Sequence, residues 1–588
     1  MSTPPPPSQP PSGGFGAPQD PPPGGFAKSP PPMPPAPPQQ PPTQPAQMPA
    51  QPPAQMPAQP PAQPPAQPAG QPAYGYPQPG PGYGHPQQSG PVTTPMYAPQ
   101  PPAAGPAGGN DKRTQLMIVG AALLAIVLIV GGGLFYVSGD DGGTNTTATG
   151  GPSGKTDGKG NEQALSGGTE RVPANPKSKT LFNLPNPGPV DQVTVEGSWL
   201  TDSTYIKSDV AKIVGYNLVD GGKKWETPLP AHVCGATKHI SEKKTAVLFD
   251  EALPTAEKKY PSCNQVGVID LETGKLLWSA TAKSSTGGDK PVTFSEVTIS
   301  GKTVAAGGLG GGAAWNLDDG KPLWAPKVDG EGCKDVGYAG GEALAVMRSC
   351  GRATEPTLYA QLLDATTGAP KYSYKLSPGI PYAGIISTKP VVIAANVGGT
   401  AKNATNVSDL FVLDDAGQLK ARIGLASGNF APKCPANDVE RCSSMVVGNG
   451  KVYIPSYEHQ GTAEYGRTNE LLSFDLETGK QTTDRADAGE RYTIYPMRMD
   501  GSNIIAYKVP PYDKGGQVVS IDGKTMKETL LMDNPADKAS QRAETSFLFD
   551  SSEYRYHNGK LFIAKRYARK STSVSGDPDN LFVSFTAS

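Results

Sequence analysis

VIDLETGKLLW, residues 268–278, decides the fold. An apolar strand runs into Asp270, a Thr-Gly-Lys turn follows, and the next strand carries Trp278. The aspartate is placed to accept hydrogen bonds from turn amides, and glycine supplies the positive φ of a tight hairpin. Weaker copies are YNLVDGGKKW (216–225), WNLDDGKPLW (315–324), LLDATTGAPKY (362–372), VLDDAGQLKA (412–421), SFDLETGK (473–480) and SIDGKTMKET (520–529). The turn glycines Gly221, Gly274, Gly320, Gly368, Gly417 and Gly479 follow one another at 53, 46, 48, 49 and 62 residues. Trp225, Trp278, Trp324 and Tyr372 each stand four residues beyond their glycine. A large ring at a constant offset is a device for docking one unit on the next. A period of about 50 residues with several strands per unit points to a propeller or a solenoid.

Each hairpin follows another short apolar run, such as TAVLF (245–249), ALAVM (343–347) or KVYIP (451–455). Eight such pairs can be drawn, the last ending in LFVSF at residues 581–585. Almost nothing follows Phe585, so the last unit lacks an outer strand. An open edge invites aggregation, and residues within 177–199 are expected to supply it. Convincing long helical patterns are absent after Val193. The fold expected is all-β: an eight-bladed β-propeller, with seven blades as the alternative, of four-stranded antiparallel blades over residues 186–588.

The rest of the chain is of another character. Of 66 prolines, 40 fall within residues 1–110, where Asp20 and Lys28 are the only charged side chains. Such a composition buries too little apolar surface to offset its ordering entropy. Residues 1–113 are expected to be a disordered Pro/Gln/Ala/Gly-rich tail. LMIVGAALLAIVLIVGGGLFYV, residues 116–137, carries no charge over 22 residues. As a helix it would span roughly 33 Å, the depth of a bilayer core. Lys112 and Arg113 precede it and Asp140 and Asp141 follow it. By the positive-inside rule this predicts a transmembrane helix over 114–137, a cytoplasmic N-terminus and an extracytoplasmic C-terminal domain at the cell membrane. The apolar run starts too far into the chain for a cleaved signal peptide. A Gly/Thr/Asp-rich linker is expected over 138–185. Asn145, Asn403 and Asn406 lie in N-x-S/T sequons.

All six cysteines lie on the exported side: Cys234, Cys263, Cys333, Cys350, Cys434 and Cys442. An even count in that compartment predicts disulfides, and the local pairs Cys234–Cys263, Cys333–Cys350 and Cys434–Cys442 are expected. The formal net charge of −1 offers no basic excess for nucleic acid.

The Asp-x-x-Thr-Gly-Lys-x-x-Trp core, complete at Asp270–Trp278, resembles the PQQ-like (pyrroloquinoline-quinone-type) β-propeller repeat. Asp475–Lys480 keeps the first part, with Thr483 where tryptophan belongs. The resemblance covers about residues 190–588 and implies a ring of blades docked through the aromatic residue. It also implies a membrane-anchored, actinobacterial-type member of the bacterial cell envelope. Members of the family include quinoprotein dehydrogenases, which hold PQQ and a divalent cation in the propeller centre, and non-enzymatic scaffolds and sensors. No two cysteines here are adjacent, and no Asp/Glu/Asn set maps onto the dehydrogenase positions.

Other candidate chemistry reads as structural. His232, Cys234 and His239 match no common zinc spacing. His459 and His557 are isolated. LGGGAAW (309–315) lacks the Lys-Ser/Thr of a phosphate loop. DPDN (577–580) and DDAG (414–417) lack the alternating ligands of a calcium loop. The function expected is therefore a non-catalytic binding, sensor or scaffold module of the envelope, with no catalytic, cofactor or metal residues. The alternative is a PQQ-dependent dehydrogenase. Expected partners are an envelope protein or small ligand at a propeller face, the membrane through one helix, and a cytoplasmic partner for the tail.

Overall fold

The aspartates of the repeat shape its turns in the computed structural model. Asp270 Oδ1 accepts from the amides of Glu272 at 3.0 Å and Thr273 at 2.8 Å, and from the Thr273 hydroxyl at 2.9 Å. Asp364, Asp475 and Asp522 bind their own turns in the same way. Each turn joins the third strand of a blade to the fourth; in the best copy these are Cys263–Asp270 and Leu276–Ala280.

The structure describes residues 163–401, 407–435, 438–571 and 578–588. The expected tail, the expected membrane helix, the first part of the linker, the three sequon asparagines and Asp577 lie outside them. Among the described residues no helix is long and apolar enough to cross a membrane.

Seven antiparallel four-stranded sheets follow in order over residues 198–228, 233–280, 296–324, 334–375, 383–424, 446–487 and 493–533. An eighth takes Ser552–His557, Lys560–Lys565 and Asn580–Thr586 from the C-terminus. Its outer strand comes from Lys179–Thr180, with Leu184–Pro185 pairing further along the same edge. The ring thus has eight blades, not the seven of the alternative. Strand pairing across the chain ends closes it, as expected from the edge that LFVSF leaves open. Residues 163–185, which the sequence assigned to the linker, also hold the pair Gln163–Ala164 and Arg171–Val172.

First strands of neighbouring blades meet around the axis. Second and third strands are buried, as in Thr303–Gly307, and fourth strands such as Lys223–Pro228 alternate between exposed and half-buried. The core therefore lies between blades. Ala246, Leu248, Val266 and Val268 of blade 2 pack on Val297, Ile299, Val304 and Trp315 of blade 3. Where blade 8 meets blade 1, Tyr205 stacks on Phe562 at 3.9 Å.

The repeat aromatics reach across these seams. Trp278 covers Gly320 and Trp324 covers Gly368, so a Cβ on either glycine would lie 2.7 or 2.9 Å from the ring. Trp225 covers Gly274 and Tyr372 covers Gly417 with still less room. Phe182, on the N-terminal segment that completes blade 8, covers Gly221 of blade 1 in the same manner. The ring contact thus crosses the closure point.

Candidate functional site: a plugged channel

The long interval in the repeat, from Gly417 to Gly479, has a structural cause. Between the strands Leu419–Gly424 and Val446–Gly448 the chain leaves the blades and enters the channel. Cys434 and Cys442, eight residues apart, are joined and tie the base of this segment. Cys234–Cys263 and Cys333–Cys350 are joined as well, which is the local pairing expected.

Residues 438–442 contact blades 1 to 5. Ile385 N donates to the Val439 carbonyl at 2.7 Å. The amides of Val439 and Glu440 donate to Glu296 Oε2 at 2.8 and 3.2 Å. Glu440 Oε1 meets His239 Nε2 at 2.5 Å and accepts from Gly340 N at 3.2 Å. Arg441 reaches Glu196 at 2.5 Å and Asp438 at 3.1 Å. Room for the plug comes from glycines on innermost strands. A Cβ on Gly337 would collide with Glu296 Oε1 and Val439, and one on Gly384 would lie 2.6 Å from Cys442 Sγ.

The channel is strongly charged and mostly self-neutralised. Around a central cavity of about 130 Å³, the carboxylates Glu196, Glu296, Asp438, Glu440 and Glu553 face Lys238, Arg441, Arg555 and Arg566. Lys207, 1% exposed, donates to Glu553 Oε2 at 2.9 Å. Burial lowers the Lys207 pKa, against the pull of Glu553. Burial raises Glu553, but Lys207, Arg555 and Arg566 together hold it below the usual carboxylate range. Burial likewise raises Glu440, and Lys238 and His239 more than reverse this, to about 2. Burial lifts Glu196 and Asp438 despite Arg441. Glu296 is lifted furthest of the channel carboxyls, by burial and then by Asp438. Its Oε1 is shut off from water with no hydrogen-bond partner among the described residues. Glu296 thus holds its proton more tightly than an ordinary carboxyl does, beneath the plug.

These residues do not fit a quinone cofactor. Pockets for drug-sized ligands run to ~300–1,000 Å³, and the central cavity is about 130 Å³. The carboxylates that would hold a divalent cation are engaged by basic side chains or by plug amides. Among the described residues one His/Cys/Asp/Glu group has the spacing for an ion, Cys234, Asp250 and Cys263, and its two sulfurs are bonded to each other. His239 lies on Glu440 instead. His459 pairs with Glu470 at 2.7 Å, and His557 sits 3.0 Å from both Glu170 and Asp202. Asp414 caps its own turn through the amides of Ala416 and Gln418. In the glycine-rich stretch, Gly312 lies under the Tyr338 ring, where a side chain would collide.

Sequence reasoning did not find the plug, Glu296, Glu440, the Lys207–Glu553 pair or Phe182. The signal for the plug was the longest repeat interval together with two close cysteines bracketing Asp438, Glu440 and Arg441.

A family model described as outer membrane protein assembly factor BamB matches residues 262–527. No curated protein sequence is similar enough to match. Among solved structures, a europium-containing methanol dehydrogenase is similar at 12% identity and TM-score 0.39, over 70% of this chain and 93% of that one. Dihydro-heme d1 dehydrogenase NirN in complex with DHE is similar at 12% identity and TM-score 0.36, over 59% and 68%. The β-propeller domain of the Trilobed protease from Pyrococcus furiosus, with an open velcro topology, is similar at 13% identity and TM-score 0.32, over 62% and 98%. The described body of this chain is an eight-bladed β-propeller, matched by that repeat-family model over residues 262–527, with its ring closed by pairing of residues 179–185 with the C-terminal strand.

Proposed function

We propose that this chain is a membrane-tethered, extracytoplasmic propeller that binds a component of the bacterial cell envelope without catalysing a reaction on it. The observation that carries the reading is the channel. Its centre is filled by residues 438–442, bonded to Glu196, His239, Glu296, Gly340 and Ile385. Binding then falls to the faces of the ring and the mouths of the channel, where propellers also engage partners. The apolar run 116–137 supplies the tether, and the three disulfides suit an oxidising compartment. The match to a family described as an assembly factor of the outer membrane supports a scaffold over an enzyme.

The test is to give the purified chain PQQ and calcium and follow cofactor absorbance and dye reduction with alcohols and sugars. The reading expects neither cofactor uptake nor turnover. PQQ-dependent dye reduction would overturn it.

A further inference from the structure

The central cavity holds charges of both signs. A second cavity, of about 540 Å³, opens where the innermost strands of blades 7, 8, 1 and 2 reach their C-terminal ends, and its wall is different. Five side chains with basic groups line it, Lys238, His239, Arg498, Arg555 and His557, and no carboxylate does among the described residues.

The acids that hold these cations are placed behind them. Glu440, 12% exposed, anchors His239 at 2.5 Å and lies 3.8 Å from Lys238. Glu170 is fully buried and holds both Arg498 and His557. Glu553, also buried, lies 3.8 Å from Arg555, which further donates to the carbonyls of Ser198 and Tyr554. Asp500, buried, is 3.6 Å from Arg498, and the exposed Asp202 meets His557 from the rim. Lys238 is 51% exposed and is held only at that longer distance from Glu440. Buried carboxylates thus fix a set of cations along the wall of one chamber. A cleft lined by one sign of charge over low-dielectric walls focuses the field on an ion of the other sign. Apart from Thr169, the remaining wall is apolar and aromatic, including Trp199, Ile240 and Tyr556.

We infer that this channel mouth binds a small anion bearing carboxylate or phosphate groups, gripped by Lys238, Arg498 and Arg555. The volume lies within the range of small-molecule sites, ~300–1,000 Å³, and charge-assisted bonds from lysine and arginine are the strong ones for such groups. The inference rests on the binding reading above and deepens it by naming a ligand class.

The experiment is calorimetric titration of the full chain in detergent with citrate, with pyrophosphate and with glucose. Citrate and pyrophosphate separate the carboxylate and phosphate sources; glucose is the neutral control. Saturable one-to-one binding of at least one anion is expected, weakening as salt is raised, with no binding of glucose. Lys238→Glu should weaken it about tenfold or more, equivalent to about 1.4 kcal/mol, and Lys238→Gln by less. Lys290→Glu, on an exposed loop, should leave it unchanged. Thermal melts of the variants check that the fold survives, and Lys238→Gln carries the test if Lys238→Glu does not fold. The inference is overturned if neither anion saturates, or if a folded Lys238 variant binds as the parent does. Such a result without PQQ-dependent turnover removes this inference alone, whereas turnover removes the binding reading itself.

Discussion

Trp278 of blade 2 lies on the turn of blade 3, donating from Nε1 to the Leu317 carbonyl at 2.9 Å and covering Gly320 so closely that a Cβ there would sit 2.7 Å from its ring. The glycine is required twice over, because its φ of 69° is also one that side chains resist. Gly450 separates the two causes, since it has φ 68° and nothing within 4 Å of a Cβ. Gly450→Ala should cost about 1–2 kcal/mol for the left-handed backbone alone. Gly320→Ala should cost about 1–3 kcal/mol more, the usual toll of overpacking. Urea unfolding of the two variants measures the difference, and equal losses would show that the ring contact contributes nothing.

Phe182 places the same contact across the ring closure. Its ring covers Gly221 of blade 1 and packs edge-on against Phe562 and Phe582 of blade 8. Phe182→Ala should destabilise the domain by about 3 kcal/mol. Deleting residues 163–185 should leave the strand Asn580–Thr586 as an open edge and drive self-association. Size-exclusion chromatography reads this; a monodisperse monomer would show that the edge needs no cover.

The repeat made the blades legible because its signals are local. Asp270, Thr273 and Gly274 fix a turn through bonds spanning two or three residues, so the pattern appears in a short window. The copies that depart from the pattern have compensations that the window does not contain. Blade 6 has Thr483 at the ring position, and the turn of blade 7 bears Met526 at φ 55° instead of glycine. Gly479 is approached by the Arg422 carbonyl, at 2.6 Å from a Cβ, rather than by a ring. Phe182 lies outside the repeat and is brought to Gly221 only by closure of the ring. The channel was illegible for a related reason. Glu196, Glu296, Glu440 and Glu553 come from separate blades or from the plug, and no spacing along the chain announces that they share one axis.

Glu296 should make stability fall with rising pH. Burial and Asp438 hold its folded pKa well above the ordinary carboxylate value. From about pH 4.3 upwards the unfolded chain releases a proton that the folded chain keeps, so stability declines towards the folded pKa. Glu440 does not oppose this, because its own contribution is fully present above about pH 4.3 and is lost as pH falls from there to about 2. Glu296→Gln keeps an acceptor for the plug amides and removes the titration. Its stability relative to the parent should therefore grow as pH rises from about 5 to 8. Urea midpoints across that range measure it, and a pH-independent difference would place the Glu296 proton elsewhere.

The Cys434–Cys442 bridge closes a loop with a sequence separation of 8. Cys434→Ser with Cys442→Ser should cost about 2.5 kcal/mol by loop entropy and loosen the plug before it loosens the blades. A loss shared equally by every blade would mean that the segment and the ring unfold as one unit.

The central claim is that residues 438–442 are fixed in the channel by bonds to the innermost strands. Amide hydrogen exchange of the intact chain, resolved to this segment, tests it most directly. The amides of Val439 and Glu440, donated to Glu296, should exchange as slowly as those of the strand Glu296–Ser300. Exchange at the rate of an exposed loop would contradict the account and return the channel to ligands.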